Sequence, residues 1–137
     1  MLTQNKSTAI AFLHAMGAGD RATLEKLTAP DAQIITAGYC KLSMTHEYDS
    51  IMGVADALPK ITKAGIAFDI LLVTAEDDRV AVQAQGHAES IDGTPYNNQY
   101  HFLLQLRDGQ VWRMYEYMDT QLAETVLGPY LAAAAAG

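Results

Sequence analysis

The stretch DGQVWRMYEYMDT, Asp108 to Thr120, decides how this chain folds. It opens on Asp-Gly, the strongest short-range signal for a two-residue hairpin turn, and runs on as an aromatic-rich strand. It stops at Asp119-Thr120, a pair suited to capping a following helix. Within the strand one carboxylate, Glu116, stands between Tyr115 and Tyr117. The side of the sheet on which that charge lies is the question the neighbouring sequence must answer.

If Asp108 and Gly109 form the turn, Arg107 faces Gln110, and counting back pairs Gln105 with Trp112, Leu103 with Met114 and His101 with Glu116. Side chains alternate along strands, so His101, Leu103, Gln105, Trp112, Met114 and Glu116 are expected on one face. Tyr100, Phe102, Leu104, Leu106, Val111, Arg113, Tyr115 and Tyr117 fall on the other. A one-residue bulge would break this register. Both faces are largely apolar, which predicts cover on both sides, by the chain's own helices and by a second subunit in a homodimer. A carboxyl among Leu, Met and Trp is pushed up in pKa by desolvation, and an imidazole opposite pulls it down. Such a pair exchanging protons with one substrate is worth ~10²–10⁴-fold in rate. The competing explanation is an exposed strand glutamate in a modest surface pair with histidine.

Outward from the hairpin, IAFDILLVTAEDDRVAVQAQGHAESIDGTPYNNQYHFLLQLRDGQVWRMYEYM divides into four β segments at EDD and at two DG pairs. The first third reads as helix. STAIAFLHAM aligns Ala9, Ile10, Leu13 and Met16, and GAGD ends that helix with Asp20 capping a second, RATLEKL. A short strand follows over Gln33 to Thr36. Residues 39–48 have no period and read as a loop or short irregular strand. DSIMGVADALPKITKAG reads as a helix capped by Asp49 or Ser50, with a stripe of Ile51, Val54, Ala55, Leu58 and Ile61, and with Pro59 as a kink or break. After the last strand, DTQLAETVLG is a short helix ended by Gly128-Pro129, and residues 129–137 form a low-complexity tail beyond a single domain over 1–128.

The chain has 137 residues, one domain's worth, half of them hydrophobic and 18% charged. A net charge of −7 and the lack of any basic cluster argue against nucleic acid as a partner. The lone Cys40 fits a reducing compartment. The N-terminal segment lacks the order of a signal peptide, and no apolar run reaches membrane-spanning length. A cytoplasmic location, no membrane contact and a small ligand are therefore expected.

GTPYNNQYHFLLQLRDGQVWRMYEYMDT resembles the C-terminal signature of SnoaL-like proteins, in the superfamily that includes nuclear transport factor two and ketosteroid isomerase. AMGAGDRATLEKLTAPDAQI resembles that superfamily's opening, two helices joined through Gly-Asp and then a short strand. The resemblance implies an α+β fold: a cone-shaped, strongly curved, mostly antiparallel sheet with N-terminal helices packed on it to form a pocket. It also implies positions. The oxyanion-binding tyrosine of ketosteroid isomerase falls on Phe12 and its general-base aspartate on Thr36, so steroid isomerisation by that route is not expected. Limonene-epoxide hydrolase and the polyketide cyclases carry an acidic residue three positions before an aspartate in the last strand, here Glu116 and Asp119. The hydrolase's Arg-x-Asp pair falls near Gln85 and His87, and neither charged residue is present.

The sequence thus points to a cofactor-independent lyase, cyclase or isomerase acting on a small hydrophobic, aromatic or polyketide-like compound. Glu116, His101 and His87 are its candidate catalytic groups. Phe12, Thr36, Tyr39, Gln85, Leu103, Trp112 and Met114 are candidate substrate contacts. The alternatives are a non-catalytic ligand-binding or dimerisation domain, and an epoxide hydrolase. No cofactor and no metal are expected: His87-Glu89 and His46-Glu47 lack the tighter spacing of zinc motifs, and no glycine-rich phosphate loop follows a strand. Ser43 and Cys40 carry no nucleophile signature, and His14 lies on the less apolar face of its helix.

Overall fold

The computed structural model describes the backbone of residues 2–136 and the side chains of residues 2–130. Its elements are α1 (Leu2–Ala18), α2 (Arg21–Leu27), β1 (Thr28–Thr36), β2 (Met44–Glu47), α3 (Tyr48–Ile61), β3 (Ala67–Glu76), β4 (Arg79–His87), β5 (Gln99–Arg107), β6 (Gln110–Met118) and α4 (Thr120–Ala136). Local chemistry explains most of the boundaries. Asp20 caps α2, its Oδ1 accepting from the Thr23 amide at 3.2 Å. Asp108 and Gly109 both take positive φ, 54° and 76°, as a hairpin turn matched to strand twist requires. The Asp77-Asp78 turn between β3 and β4 likewise puts Asp77 at φ 54°.

The described residues form one six-stranded sheet in the order β2-β1-β6-β5-β4-β3. Four of its neighbouring pairs are antiparallel, and β1 runs parallel to β6. The expected strongly curved cone is corrected here: the sheet is mixed and open, with β2 and β3 as edges that never meet. Helices α1 and α3 pack across the strands of this open sheet, so the pocket is made by helix cover rather than by closure of the sheet. The main core fills the space beneath α1, α2 and α3, where Phe12, Leu13, Val80, Val82, Phe102, Leu104 and Met114 have no exposed surface. The α1 end approaches so closely that a β-carbon on Gly17 would sit 2.2 Å from the Ile66 carbonyl oxygen and 2.8 Å from the Phe68 ring.

Two further expectations change. Helix α3 begins at Tyr48 with Glu47 at its N-cap, and it runs through Pro59 to Ile61 rather than breaking there. Helix α4 does not end at Gly128-Pro129, since its backbone continues to Ala136. Side chains of the tail from residue 131 on lie outside the described residues. Ala123, Val126 and Leu127 of α4 bury against Tyr96 in a second apolar cluster.

Candidate active site

The hairpin of β5 and β6 begins in the expected register, Arg107 opposite Gln110 and Leu106 opposite Val111. It then shifts: Gln105 stands opposite Arg113, and Leu104 opposite Met114. The extra residue is a β-bulge at Trp112 and Arg113. Val111 and Met114 are both buried in the core, 1% and 0% exposed, while Trp112 and Arg113 stack outside it with the guanidinium 4.6 Å from the indole centroid. Beyond the bulge every side chain of β6 has changed face relative to the count from the turn. Glu116 is therefore opposite Phe102 on the inner face, and His101 is opposite Tyr117 on the outer one. The expected Glu116–His101 pair does not form, for this reason.

The inner face opens into a cavity of about 430 Å³ between the sheet, α3 and α4. Ile51, Val54, Leu58 and Ile61, the stripe legible along α3, make one wall. Phe68, Met118 and Leu127 add to an apolar lining whose polar members are Thr36, Lys41, His46, Tyr96, Tyr100 and Glu116. Glu116 is half-buried, and Thr36 Oγ1 donates to its Oε2 at 3.3 Å. Desolvation by the apolar surroundings pushes its carboxyl up to about 7, against a small lowering from Thr36. Burial holds the His46 imidazole below its ordinary range and raises Tyr96 and Tyr100. At neutral pH the cavity thus presents a carboxyl close to half-protonation beside groups that favour their neutral forms.

The other expected site residues are scattered. His87, at the end of β4, is exposed and holds Asp69 Oδ2 through Nε2 at 2.7 Å, outside the cavity lining. His101 lies in an outer-face row with Leu72, Gln83 and Tyr117. Thr36 lines the cavity; Phe12 and Met114 are core residues behind it. Tyr39 is fully exposed, and Leu103 and Trp112 are half-buried on the outer face. Gln85 spends its amide on the carbonyls of Gly86, Asn97 and Asn98. His46 is the functional candidate that the sequence did not single out for acid–base chemistry, because β2 is only four residues long and without a clear alternation. Among the described residues no cluster of three or more His, Cys, Asp or Glu is placed to hold a metal, and no helix is long and apolar enough to cross a membrane.

Solved structures share this architecture. Bal32a, from a soil-derived mobile gene cassette, superposes with a TM-score of 0.79 at 22% identity, over 91% of this chain and 97% of its own. An NTF2-like protein from Burkholderia xenovorans LB400 gives 0.77 at 21%, over 92% and 97%. TerC, co-crystallised with polyporic acid, gives 0.76 at 19%, over 91% and 98%. No curated protein matches the chain significantly in sequence. The family model described as SnoaL-like domain matches residues 9–114, most of the chain. Matched by that model over most of its length, the chain belongs to the SnoaL-like family.

Proposed function

We propose that this chain is a cofactor-independent acid–base enzyme, a lyase, cyclase or isomerase, acting on a small hydrophobic, aromatic or polyketide-like compound with Glu116 as its proton carrier. One observation carries the proposal: a carboxyl titrating at about 7 on the wall of an otherwise apolar cavity. A general base or acid works best when its pKa lies near the working pH. The carboxylate takes a proton from carbon beside a carbonyl, and the resulting acid returns it to carbon or to a departing oxygen. Membership of the SnoaL-like family supports the class of chemistry, and the polyporic acid of the TerC crystals supports an aromatic occupant.

A non-catalytic ligand-binding domain is the second reading, favoured by the preponderance of apolar residues in the lining. Epoxide hydrolysis has no such support, since Glu116 is the one carboxylate among the described lining residues. A homodimer, its second copy covering the outer face where Leu72 and Tyr117 are 66% and 51% exposed, belongs to the same proposal. Sedimentation of wild type against Tyr117→Glu tests it, and an unchanged monomer in both sets it aside.

The activity test is deuterium exchange at carbon in a panel of aromatic ketones, α-tetralone among them, followed by proton NMR. Wild type should exchange, and Glu116→Gln should lose ~10²–10⁴-fold in rate. Binding without exchange by wild type across the panel would leave the ligand-binding reading in its place.

A further inference from the structure

A second titratable ring enters the same cavity two strands from Glu116. Strand β1 lies between β2 and β6, with Thr36 beside Glu116 and Ile34 beside His46. Ile34 and Thr36 are two residues apart and share the inner face, and cross-strand neighbours share a face as well. Glu116 and His46 therefore line the cavity from either side of β1. Strand spacing and the two-residue offset put their α-carbons roughly 12 Å apart. That is too far for the side chains to bond each other, and it leaves room for a molecule that meets both.

The ring of His46 is fixed by its other neighbour. Its Nδ1 lies 2.6 Å from Ser50 Oγ in the first turn of α3. Its Nε2 has no hydrogen-bond partner among the described residues. A serine hydroxyl can donate to Nδ1 or accept from it, so the contact holds the ring's orientation and leaves Nε2 available to a ligand.

We propose that His46 is a second catalytic residue, holding the substrate oxygen through Nε2–H while Glu116 carries the proton at the adjacent carbon; the assignment rests on the acid–base function proposed above. Ser50 is a positioning residue whose hydroxyl donates to Nδ1 and so keeps the ring proton on Nε2. The substrate class this arrangement takes is an apolar ring compound with a carbonyl next to an acidic C–H. In the step, the Glu116 carboxylate accepts the C–H proton, the C–H electron pair becomes the new carbon–carbon π bond, and the carbonyl π pair moves to oxygen. His46 stabilises that oxygen by hydrogen bonding, and the proton returns from Glu116, so no co-reactant is consumed.

The test uses the full chain labelled with ¹⁵N-histidine and ¹³C-glutamate, with α-tetralone as the probe. The expected result is a resting His46 in the Nε2–H tautomer whose Nε2 resonance moves when α-tetralone binds. Ser50→Ala should mix the tautomers, and His46→Phe should weaken α-tetralone binding ~3–10-fold. Glu116→Gln should lower deuterium exchange ~10²–10⁴-fold while α-tetralone still shifts Nε2. A resting Nδ1–H tautomer overturns the proposal. So does a titration in which the Glu116 carboxyl carbon shifts and His46 does not, and that result leaves the role of Glu116 standing. If neither group responds, the acid–base function fails and the His46 assignment falls with it.

Discussion

Glu116 stands opposite Phe102, and His101, one residue away, stands opposite Tyr117. One extra residue in β6 separates these two outcomes, and it places the carboxyl inside the cavity and the imidazole outside it. Replacing His101 by Ala should leave the titration of the Glu116 carboxyl unmoved and change stability by less than about 0.5 kcal/mol. Carboxyl-carbon NMR across the pH range checks this, and a displaced midpoint in the variant would mean that the two groups communicate.

Glu116 makes stability depend on pH with a definite sign. Its carboxyl titrates at about 7 in the folded chain against 4.5 ordinarily, so the folded state retains a proton that the unfolded state releases. The resulting stabilisation is fully present below pH 4.5 and is lost as pH rises through 7. That difference corresponds to roughly 3 kcal/mol. In urea unfolding, Glu116→Gln should match wild type in acid and exceed it by about 2–3 kcal/mol near pH 8.5. Equal stabilities at the alkaline end would exclude the raised value.

His46 acts in the opposite direction. Burial lowers its pKa from 6.5, so its contribution is present above that value and is lost as pH falls through the folded-state pKa. His46→Phe removes the charge that must otherwise be buried in acid. Its stability relative to wild type should therefore rise on going from neutral to mildly acidic buffer. A constant difference between the two proteins over that range would show that the imidazole does not titrate in a buried site.

Gly17 supports the cavity wall through its missing side chain. Its carbonyl accepts from the Ile66 amide at 2.8 Å, and a β-carbon there would collide with the Ile66 oxygen and the Phe68 ring. Gly17→Ala is expected to cost about 1–3 kcal/mol, since backbone must move to admit the methyl group. Thermal or urea unfolding measures the loss, and an unchanged midpoint would mean that α1 is free to shift.

Asn98 is 1% exposed, and its side chain joins the loop before β5 to the end of β6. Its Nδ2 donates to Tyr96 Oη and to the Asp119 carbonyl, both at 3.0 Å, and its Oδ1 accepts from the amides of Gln99 and Asp119. Asn98→Ala strands several of these groups and should cost about 2–4 kcal/mol. If Asn98→Ala unfolds at the wild-type urea concentration, this network contributes nothing to stability.

Features that depend on neighbours in the chain were legible in the sequence. The Asp-Gly turn, the Asp20 cap, the four long β segments and the apolar stripe of α3 each follow from a few adjacent residues and a fixed period. The family resemblance came from the same order of elements. Glu116 drew attention through its apolar setting, although the register inferred for it was wrong.

The sequence by itself determined the elements, their order and the chemical groups that the last strand carries. Tertiary structure alone decided which of those groups meet. The bulge exists because Val111 and Met114 both bury in the core while Trp112 and Arg113 stack on the other face, a balance between two packed surfaces that no turn rule expresses. The openness of the sheet follows from the unpaired edges β2 and β3. His46 reaches the cavity because a four-residue strand pairs with Ile34, twelve positions earlier, and no local period announces that contact. Side-chain alternation has a period of two, so a single unpredicted residue exchanged the two histidines' relation to Glu116.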